Sequence, residues 1–480
     1  MLIISIIGPS MKESLQQIKT SFSYADLFEF RCDLIRRPDI SALMRAAKKP
    51  CIITYRTETE GGKYRGSPDD LLAHLLTASF LGAQYVDIER RLGLPFLREF
   101  IRRRGNTRII LSLHTRGVPR SAKRVFVKLD TLEADVLKFA YRATDASDID
   151  CARKFLALAK KRKRKAVAIA MGESGEASRV LYRAWGGWAT YASPNVGSES
   201  ADGQLPANVL KKIFHADTLN ASTRIYGVVG NPPSQSKGIY LHNPLFHLPK
   251  INAVYCRFPV KDVGKFMKTV APQLSGFSVT IPHKQKIMQY LTSVDKTATA
   301  IGAVNTVIRR GKAFHGTNTD APGALDAIEQ VRRVKGKTML ILGAGGAARA
   351  IAFEANKRGA VVSVANRTEE KAKSLARALN LSTIPWNDIR DNQFDFLVNA
   401  TSVGMAPKTN VSPIPKIPLR GKIVFDAVYN PRVTMLLRQA RSSGARIISG
   451  MEMYLNQAAL QSKYYTGKLP SRALMKRILK

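Results

Sequence analysis

The sequence predicts a protein of the α/β class, in which strands and helices alternate along the chain. Over the first 215 residues, an apolar, β-rich run followed by a helical segment recurs eight times. Eight such units match a (β/α)8 barrel at its short limit of length. The same alternation continues beyond residue 223, and residues 338–349 contain a glycine-rich turn between an apolar run and a helical segment. We therefore expect an N-terminal barrel followed by a second α/β assembly.

The composition is that of a large globular protein. The chain has 480 residues, 45% of them hydrophobic and 23% charged, which allows two or three domains with sizeable cores. No apolar run approaches the roughly 18 residues of a membrane span, and we expect no signal peptide before the first strand. The cysteines form no CxxC pair, so we expect free thiols, a cytoplasmic location and no metal site. They are Cys32, Cys51, Cys151 and Cys256.

The charge balance is strongly basic. Lys and Arg number 76 against 36 Asp and Glu, a net charge of +40 at pH 7. Such a balance suggests a nucleic-acid partner, but no nucleic-acid-binding motif accompanies it. The densest basic run, Lys160–Lys165, lies where a helix is expected to end, a position that favours cations. We expect the charge to steer small anionic substrates, and we expect neither specific nucleic-acid binding nor membrane binding.

The predicted barrel strands carry polar residues at their C-terminal ends, where chemistry takes place in such barrels. The strands are Leu2–Ile7, Ala25–Phe30, Cys51–Tyr55, Tyr85–Ile88, Arg108–Leu113, Ala134–Ala140, Ala166–Ala170 and Trp188–Ala192. The residues found at or just after these ends are Glu29, Arg31, Arg56, Glu60, Glu89, His114 and Met171. They form a first group of candidate site residues.

Lys138 interrupts the otherwise apolar sixth strand. A lysine that points into a barrel core is costly unless it titrates or is paired. An outward side chain would be an ordinary surface lysine, and the sequence leaves both orientations open. If the side chain points inward with a depressed pKa, it is a nucleophile that forms a Schiff base with a ketone.

The glycine-rich turn reads Gly343-Ala344-Gly345-Gly346-Ala347 and follows a predicted strand. A strand, a glycine turn and a helix N-terminus in this order form a cradle for a pyrophosphate. Gly343 permits the tight turn, Gly345 lets the backbone approach the phosphates, and Ala348 lets the helix lie close to the strand. Read alone, the motif also fits a plain tight turn.

The end of the next strand, Ala360–Ala365, distinguishes between two cofactors. An NAD site carries Asp or Glu there for the ribose hydroxyl. This chain has Asn366-Arg367-Thr368, with Lys371 one helical turn further on. Because a cation at this place accommodates a 2′-phosphate, we expect NADP(H) as the cofactor.

A polar linker, residues 216–223, precedes the second half. Strands are predicted there at Ile225–Val229, Asn252–Pro259, Phe277–Ile281, Ala303–Arg310 and Lys312–Gly316, with helices between them. Polar clusters follow at 234–237, 280–284 and 318–320. Among them, Lys284 and Asp320 are a base and an acid that can share a proton with a substrate hydroxyl if they are neighbours. An unrelated surface salt bridge is the alternative.

Ordered motifs in the barrel half carry a resemblance to a known family. They are residues 29–33 (EFRCD), 56–62 (RTETEGG), 86–89 (VDIE), 112–114 (SLH), Lys138, Ser178-Arg179 and 200–204 (SADGQ). Over about residues 1–215 the chain resembles type I 3-dehydroquinate dehydratase. The resemblance implies that Lys138 forms an imine with the C3 ketone of 3-dehydroquinate. It also implies that His114 is the general base and then the proton donor to the departing hydroxyl.

The same resemblance implies roles for further residues. Arg179 would pair with the substrate carboxylate. Ser200 and Gln204 would lie on a mobile loop that closes over the substrate. The residues that would hold the ring hydroxyls and the histidine are Glu29, Arg31, Arg56 and Glu60. The chain departs from the family at Thr115, where Asp is usual, and at Ile169, where Met is common.

A second set of motifs lies in residues 224–480. They are 230–232 (GNP), Ser236-Lys237, 279–284 (VTIPHK), 302–306 (GAVNT), 318–320 (NTD), 343–347 (GAGGA), 366–368 (NRT), 399–404 (NATSVG), Gly450-Met451 and Gln457. This part of the chain resembles shikimate dehydrogenase. The resemblance implies that Lys284 and Asp320 are the catalytic pair at the reacting carbonyl. The substrate-binding residues implied are Ser236, Thr280, Asn305, Tyr429 and Gln457.

The implied cofactor contacts extend from the glycine turn to the last helix. They comprise Gly343, Ala344, Gly345, Gly346, Ala347, Asn366, Arg367, Thr368, Lys371, Thr401 and Gly450. One departure concerns the substrate site, because Gly238 stands where the family usually has a second serine. One hydroxyl for the substrate carboxylate is therefore missing, and a water or Tyr240 is a candidate replacement.

The two resemblances together imply a fused chain that runs two consecutive steps, from 3-dehydroquinate through 3-dehydroshikimate to shikimate, with NADPH and no metal. The expected division is 1–215 (barrel), 216–223 (linker), 224–320 (substrate-binding α/β domain), 321–450 (Rossmann-like NADP domain) and 451–480 (a helical segment returning to the substrate domain). Two alternatives are a quinate/shikimate oxidoreductase with an inactive barrel and a basic nucleic-acid-binding protein. The oligomeric state is left open.

Overall fold

The computed structural model describes residues 1–130, 134–232, 236–390 and 393–479. It divides into two compact units. The first comprises residues 1–239 and 246–274, and the second comprises residues 240–245 and 275–480. Among the helices that the structure describes, none is both long enough and apolar enough to cross a bilayer.

The first unit contains an eight-stranded parallel barrel. Its strands are β1 (Leu2–Ile6), β2 (Leu27–Arg31), β3 (Cys51–Thr54), β4 (Tyr85–Glu89), β5 (Arg108–Thr115), β6 (Val136–Arg142), β7 (Lys165–Met171) and β8 (Thr190–Ala192). They pair in the order β7-β6-β5-β4-β3-β2-β1-β8. At the remaining seam, the backbone N–H of Trp188 donates to the carbonyl of Ala166 at 2.8 Å, so the barrel is nearly closed. The predicted barrel is confirmed, with every strand within two residues of its expected bounds.

Helices follow the barrel strands. They are α1 (Met11–Ser21), α2 (Ile40–Ala47), α3 (Pro68–Phe80), α4 (Gly93–Arg103), α5 (Ala122–Leu129), α6 (Ile149–Lys161), α7 (Glu176–Leu181) and α8 (Ala207–Lys212). Local sequence starts several of them. The hydroxyl of Ser10 and the carboxylate of Glu13 form a reciprocal capping box at α1, for example. As expected, α6 ends within the basic run, at Lys161.

The barrel interior is closed by a layer of apolar side chains. This buried cluster contains Ile3, Leu27, Ile52, Tyr85, Ile110, Val136, Ala140, Val167, Ile169, Ala189 and Tyr191. Because every strand contributes to this layer, the strands hold one another in register and the barrel is a packed core rather than a pore. The candidate polar residues of the barrel lie next to this layer, toward the C-terminal ends of the strands.

Two further strands belong to the first unit. They are β9 (Arg224–Gly230) and β10 (Ala253–Pro259), which pair in parallel. Helix α10 (Val263–Thr269) follows β10, and helix α9 (Gly238–His247) passes from the first unit into the second and back. The barrel therefore shares one compact unit with the first strands of the predicted substrate-binding domain.

The second unit begins with a small mixed set of strands. They are β11 (Gly276–Val279), β12 (Ser293–Val294), β13 (Thr306–Arg310) and β14 (Ala313–Thr317), and α11 (Lys296–Ile301) precedes β13. Strand β13 runs antiparallel to both β11 and β14, and β12 is parallel to β14. The expectation of a helix between every pair of strands is wrong here, because β13 and β14 form a hairpin that turns at Gly311 with a φ of 60°. The two-residue strand β12 was not predicted.

The rest of the second unit is a parallel sheet with helices. Its strands are β15 (Thr338–Leu342), β16 (Val361–Ala365), β17 (Ser382–Thr383), β18 (Phe396–Asn399), β19 (Ile423–Asp426) and β20 (Arg446–Ser449). Its helices are α12 (Asp320–Glu329), α13 (Gly346–Lys357), α14 (Glu369–Leu379), α15 (Met435–Ser442), α16 (Gly450–Thr466) and α17 (Arg472–Ile478). The strand order β17-β16-β15-β18-β19-β20 is that of the doubly wound dinucleotide-binding fold. The Rossmann-like prediction is confirmed.

We predict that truncating the interior layer of the barrel destabilises it. Ile110 is fully buried in β5, so Ile110→Ala should cost about 2–5 kcal/mol of the free energy of unfolding. Val127 on α5 is exposed, and Val127→Ala should change that free energy by less than about 0.5 kcal/mol. Urea unfolding followed by intrinsic fluorescence and far-UV circular dichroism measures both. Equal midpoints for the two variants would contradict the assignment of this layer as the core.

Candidate active sites

Lys138 lies inside the barrel, and the outward orientation is excluded. Its side chain is buried, only 5% of the residue being exposed, and its Nζ is 2.9 Å from Oδ2 of Asp87 and 3.2 Å from Oε1 of Glu29. The same Nζ lies over the ring of Tyr191, 4.1 Å from the centroid. Two carboxylates and an aromatic face therefore surround the buried ammonium.

The pKa of Lys138 is not depressed in this structure, although a depressed pKa was the condition set above for an inward lysine to act as a nucleophile. Burial lowers the pKa of the Lys138 ammonium, but Asp87 and Glu29 raise it by more, and the result lies above the ordinary value. The two anions stabilise the charged form more than burial penalises it. A nucleophilic amine at this position therefore requires that the proton first leave along one of these hydrogen bonds.

Asp87 connects Lys138 to Arg56. Its Oδ1 accepts a hydrogen bond from Ser112 Oγ at 2.6 Å and forms an ion pair with Nη2 of Arg56 at 2.8 Å. Burial raises the pKa of Asp87, but Arg56 and Lys138 lower it by more, to below its usual range. Sequence reasoning quoted Asp87 within a motif and gave it no role. The signal in the sequence is an acidic residue in the middle of an otherwise apolar run, which corresponds to the position of Lys138 in its own strand.

Arg56 holds the acidic residues around the site. Beyond Asp87, its Nη1 is 3.2 Å from Oε1 of Glu89 and 3.6 Å from Oε2 of Glu60. Burial lowers the pKa of Arg56, but these carboxylates raise it by more. Arg31, by contrast, forms a two-bond pair with Asp33, with both N–O distances at 2.8 Å. The structure therefore groups Arg56 with Glu60 and ties Arg31 to its neighbour in sequence.

His114 is held by Glu60. Its ring Nδ1 is 2.7 Å from Oε2 of Glu60, and its backbone N–H donates to the same oxygen at 3.0 Å. Burial, together with the charges of Arg56 and Lys138, keeps the pKa of His114 well below its ordinary value. Burial raises the pKa of Glu60 to about 7, although Arg56 opposes the shift. At neutral pH the imidazole is therefore neutral, and with the proton on Nδ1 its Nε2 can act as a base.

Arg179 on α7 is a buried cation without an acidic partner among the described residues. Its Nη1 donates to the carbonyl of Tyr191 at 3.4 Å, and its Nε has no hydrogen-bond partner in the described part of the chain. Burial lowers the pKa of Arg179 to about 10, so the guanidinium stays charged at neutral pH. A buried, uncompensated positive charge creates a strong preference for an anion.

Ser200 and Gln204 contact each other beyond β8. The backbone N–H and the hydroxyl of Ser200 donate to Oε1 of Gln204 at 2.6 and 3.0 Å. The side chain of Gln204 is buried. The loop that carries both residues is therefore closed on itself by these hydrogen bonds.

Lys284 and Asp320 are neighbours in the second unit. Nζ of Lys284 is 2.5 Å from Oδ2 of Asp320, and both side chains are largely shielded from solvent. Lys284 follows β11, and Asp320 is the first residue of α12. The alternative of an exposed surface salt bridge is excluded by this burial. Tyr429 lies near the pair, since burial and then the charge of Asp320 raise its pKa.

Thr319 links the other candidate residues of this site. Its backbone N–H donates to Oδ1 of Asn305 at 2.8 Å, and Nδ2 of Asn305 donates to its hydroxyl at 3.0 Å. Its hydroxyl in turn lies 3.5 Å from Oε1 of Gln457. Thr280 is half-buried, and its carbonyl accepts from the N–H of His283 at 3.0 Å. Sequence reasoning gave Thr319 no role, because only its contacts distinguish it from other threonines.

Ser236 belongs to the first unit, where its hydroxyl accepts a hydrogen bond from the N–H of Gly238 at 3.2 Å. A Cβ at Gly238 would lie only 2.8 Å from the ring of Tyr255. The tyrosine ring therefore excludes the serine expected at this position from the family resemblance. The predicted polar cluster at 234–237 lies partly outside the described residues, which include only its last two positions.

The glycine turn at residues 343–347 has open space beside Gly345 and lies close to Lys284. Gly343 has a φ of 113°, and a Cβ there would lie 3.1 Å from Cγ2 of Thr401. A Cβ at Gly345 would meet nothing within 4 Å, whereas one at Gly346 would lie 3.2 Å from Cδ of Lys284. The turn is thus open at the position where a phosphate approaches the backbone, and it lies beside the Lys284–Asp320 pair. Ala344 and Ala347 are half-buried along the same turn.

The remaining cofactor candidates occupy the strand ends of the Rossmann-like sheet. Nδ2 of Asn366 donates to the carbonyl of Thr368 at 2.8 Å. Arg367 and Lys371 are exposed and form no ion pair with any residue that the structure describes. At the start of α16, a Cβ at Gly450 would lie 2.5 Å from the carbonyl oxygen of Ala427, so helix packing requires glycine. The residues present fit a dinucleotide that carries an additional phosphate.

Three family models match the chain in succession. Type I 3-dehydroquinase matches residues 2–221, the shikimate dehydrogenase substrate binding domain matches 228–307, and shikimate / quinate 5-dehydrogenase matches 326–427. A chloroplastic bifunctional 3-dehydroquinate dehydratase/shikimate dehydrogenase from Arabidopsis thaliana is 34% identical over 96% of this chain and 82% of its own length. The chain belongs to this bifunctional family.

Relatives of single function match the dehydrogenase half of this bifunctional enzyme. The shikimate dehydrogenase (NADP(+)) of Pyrococcus abyssi is 41% identical over 53% of this chain and 97% of its own length. A crystal structure of the Thermus thermophilus shikimate 5-dehydrogenase in complex with NADP(H) and shikimate is 33% identical, with a TM-score of 0.50 over 53% of this chain and 98% of that chain. The bifunctional enzyme is therefore a lyase and an NADP-dependent oxidoreductase.

We predict that Glu60 controls the pH dependence of the dehydratase. With a pKa of about 7, Glu60 is mostly protonated at pH 6 and ionised at pH 8. Only the carboxylate accepts from both N–H groups of His114, so kcat/KM should rise as the pH rises through about 7. In Glu60→Gln this limb should disappear, and activity should be roughly 10- to 100-fold lower. Rate profiles from pH 5.5 to about 9 measure this. An unchanged limb in the variant would assign the ionisation to another group.

Proposed function

We propose that this bifunctional enzyme dehydrates 3-dehydroquinate in the barrel and reduces the 3-dehydroshikimate formed to shikimate in the second half. The observation that carries the proposal is the presence of two shielded lysine–carboxylate pairs. Lys138 is paired with Asp87 inside the barrel, and Lys284 is paired with Asp320 beside the glycine turn. Each pair suits one of the two chemistries.

The dehydration begins at Lys138. Its ammonium proton passes to one of the carboxylates, 2.9 and 3.2 Å away, and the free amine attacks the C3 ketone. Loss of water, with the proton returned by that carboxylic acid, gives a protonated imine. Nε2 of His114 removes the C2 proton, and the electron pair moves onto the imine nitrogen. When the pair returns, the C1–O bond breaks, and His114 gives its proton to the departing hydroxyl, which leaves as water. Water then hydrolyses the imine and restores Lys138.

Arg179 fits the substrate carboxylate. Its guanidinium is buried and charged, and it forms no ion pair with a described residue, so a carboxylate would neutralise it in a dry environment. Glu60 orients His114, and Arg56 pairs with Asp87, Glu89 and Glu60. We assign the ring hydroxyls and the closing loop to the remaining candidates, which are Glu29, Arg31, Ser200 and Gln204.

In the dehydrogenase half, NADPH supplies a hydride to the substrate carbonyl carbon when it is bound. Lys284 donates a proton to the carbonyl oxygen, and Asp320 holds the ammonium in place and balances its charge. The substrate carboxylate and hydroxyls are assigned to Ser236, Thr280, Asn305, Tyr429 and Gln457. Gly343 to Ala347, with Thr401 and Gly450, would hold the pyrophosphate and nicotinamide end. The 2′-phosphate is assigned to Asn366, Arg367, Thr368 and Lys371.

We further propose a reducing, cytoplasmic location and the domain division expected from the sequence. All four cysteines are free, and three of them are buried. No particular macromolecular partner is needed for either reaction, and the +40 charge suits the anionic substrates and cofactor of both halves. The buried network around Lys138 argues against the alternative of an oxidoreductase with an inactive barrel, because such a barrel would not require a buried, paired lysine.

We predict that borohydride, added with 3-dehydroquinate, traps a covalent adduct on Lys138. Lys138→Ala should lose dehydratase activity by at least about 10³-fold and keep its dehydrogenase activity, because the two sites use different lysines. Mass spectrometry of digested protein maps the adduct, and coupled assays follow each activity. Lys123→Ala, on the exposed face of α5, is the control and should retain both activities. An adduct on another lysine, or full dehydratase turnover in Lys138→Ala, would exclude the imine mechanism.

We predict that Arg367 selects NADPH. Loss of a charge-assisted hydrogen bond to phosphate costs about 1.5–3 kcal/mol, which corresponds to about a 10- to 100-fold rise in the KM for NADPH. Arg367→Ala should show that rise, with little change for NADH. Arg377→Ala, in the last turn of α14, the helix that follows Arg367, should leave both KM values unchanged. Equal use of NADH and NADPH by the wild-type enzyme would contradict the assignment.

A further inference from the structure

Two loops at the catalytic end of the barrel contact residues from the other half of the sequence. The loop after β6 and the segment after β7 both leave the C-terminal ends of barrel strands, where the chemistry takes place. Both contact the segment from β10 to α10, within the first compact unit. The barrel family model ends at residue 221, and the next one begins at residue 228, so these contacts join the two enzyme halves.

The first contact is a buried ion pair. Nη1 of Arg257 on β10 is 3.2 Å from Oε2 of Glu176, and both side chains are nearly shielded from solvent. Glu176 is the first residue of α7, and Arg179 lies one turn further along the same short helix. Because residues three apart in a helix are neighbours, a shift of Glu176 moves the backbone that carries Arg179. Removing one partner of a buried pair leaves the other charge uncompensated.

The second contact holds the loop after β6, the strand of Lys138. Oδ2 of Asp145 accepts hydrogen bonds from the backbone N–H groups of Lys261 at 2.6 Å and Asp262 at 3.2 Å. Nζ of Lys265 donates to Oδ1 of Asp148 at 2.7 Å. The carboxylates of Asp145 and Asp148 are both buried. Two buried acidic residues of the barrel thus accept hydrogen bonds from residues at the start of α10.

We propose that Arg257 is a positioning residue for the dehydratase reaction, although it lies in the dehydrogenase half of the sequence. It acts through Glu176, which fixes α7 and thereby the guanidinium of Arg179. Lys265, through Asp148, fixes the loop that follows the strand of Lys138 in the same way. The inference rests on the proposed role of Arg179 in binding the substrate carboxylate.

A positioning role of this kind changes substrate affinity more than chemistry. A displaced Arg179 would weaken the hold on the carboxylate, whereas the amine of Lys138 and the imidazole of His114 would keep their partners within the barrel. The dehydratase should therefore respond in KM, with kcat nearly constant. A loss of folded protein would instead lower the apparent kcat and leave KM unchanged, so the two causes are separable.

The test is steady-state kinetics of the full chain with 3-dehydroquinate. Arg257→Ala should raise the dehydratase KM about 10-fold and change kcat by less than about 2-fold. Arg257→Lys, which keeps the charge, should restore part of the loss. Glu176→Gln should raise KM similarly, and the Glu176→Gln/Arg257→Ala double variant should be no worse than either alone, because one interaction is removed in each case. Arg179→Ala is the reference for complete loss of the carboxylate contact.

Lys265→Ala and Lys268→Ala provide a matched pair on α10, because Lys265 contacts Asp148 and Lys268 is exposed. Lys265→Ala should raise the dehydratase KM about 3-fold, and Lys268→Ala should not change it. If Arg257→Ala yields too little folded protein, Lys265→Ala and Lys268→Ala decide, again by whether the dehydratase KM rises while kcat stays nearly constant. A wild-type KM in Arg257→Ala and Lys265→Ala, with a strongly raised KM in Arg179→Ala, would overturn the inference and leave the proposed function intact. A wild-type KM in Arg179→Ala would overturn the carboxylate assignment itself.

Discussion

The burial of a charged lysine inside the barrel is the constraint on which the dehydratase half depends. An ammonium taken out of water is tolerated only with compensating anions, and Lys138 has Asp87 at 2.9 Å and Glu29 at 3.2 Å. Asp87 in turn needs Arg56, which needs Glu89 and Glu60. The chain of pairs extends across neighbouring strands, so each strand must keep its register for any one charge to remain compensated.

The dehydrogenase half solves a related problem with fewer groups. Lys284 and Asp320 neutralise each other directly, and the strand order of the sheet brings the glycine turn beside them. In the barrel, a buried positive charge persists at Arg179 with no acidic partner among the described residues. The first site thus attracts an anion through one buried cation that has no acidic partner among the described residues, and the second contains a balanced pair that can exchange a proton.

Much of the fold was predictable because it depends on local patterns. The eight barrel strands and the turn at Gly343 follow from apolar runs and glycine spacing, whereas the helix that begins at Gly450 was implied by the family resemblance. The contacts between side chains in the two sites were harder to predict from the sequence. The raised pKa of Lys138, the linking role of Thr319 and the pairing of Arg31 with Asp33 depend on which side chains meet in space. The spacing of residues in the sequence does not predict that Asp87 pairs with both Lys138 and Arg56.

Strands β9 and β10 and helix α10 belong to the same compact unit as the barrel, which limits how the chain can be divided by engineering. A fusion of two free-standing enzymes would be expected to break cleanly at the polar linker near residue 220. Here a cut at the linker would expose Glu176, Asp145 and Asp148 to water, with the ion-pair and hydrogen-bond partners described above on the other fragment. Shuffling of halves between relatives should succeed only when the exchanged piece carries residues 224–274 along with its own barrel. The compact unit that holds the barrel therefore extends past the linker to Leu274.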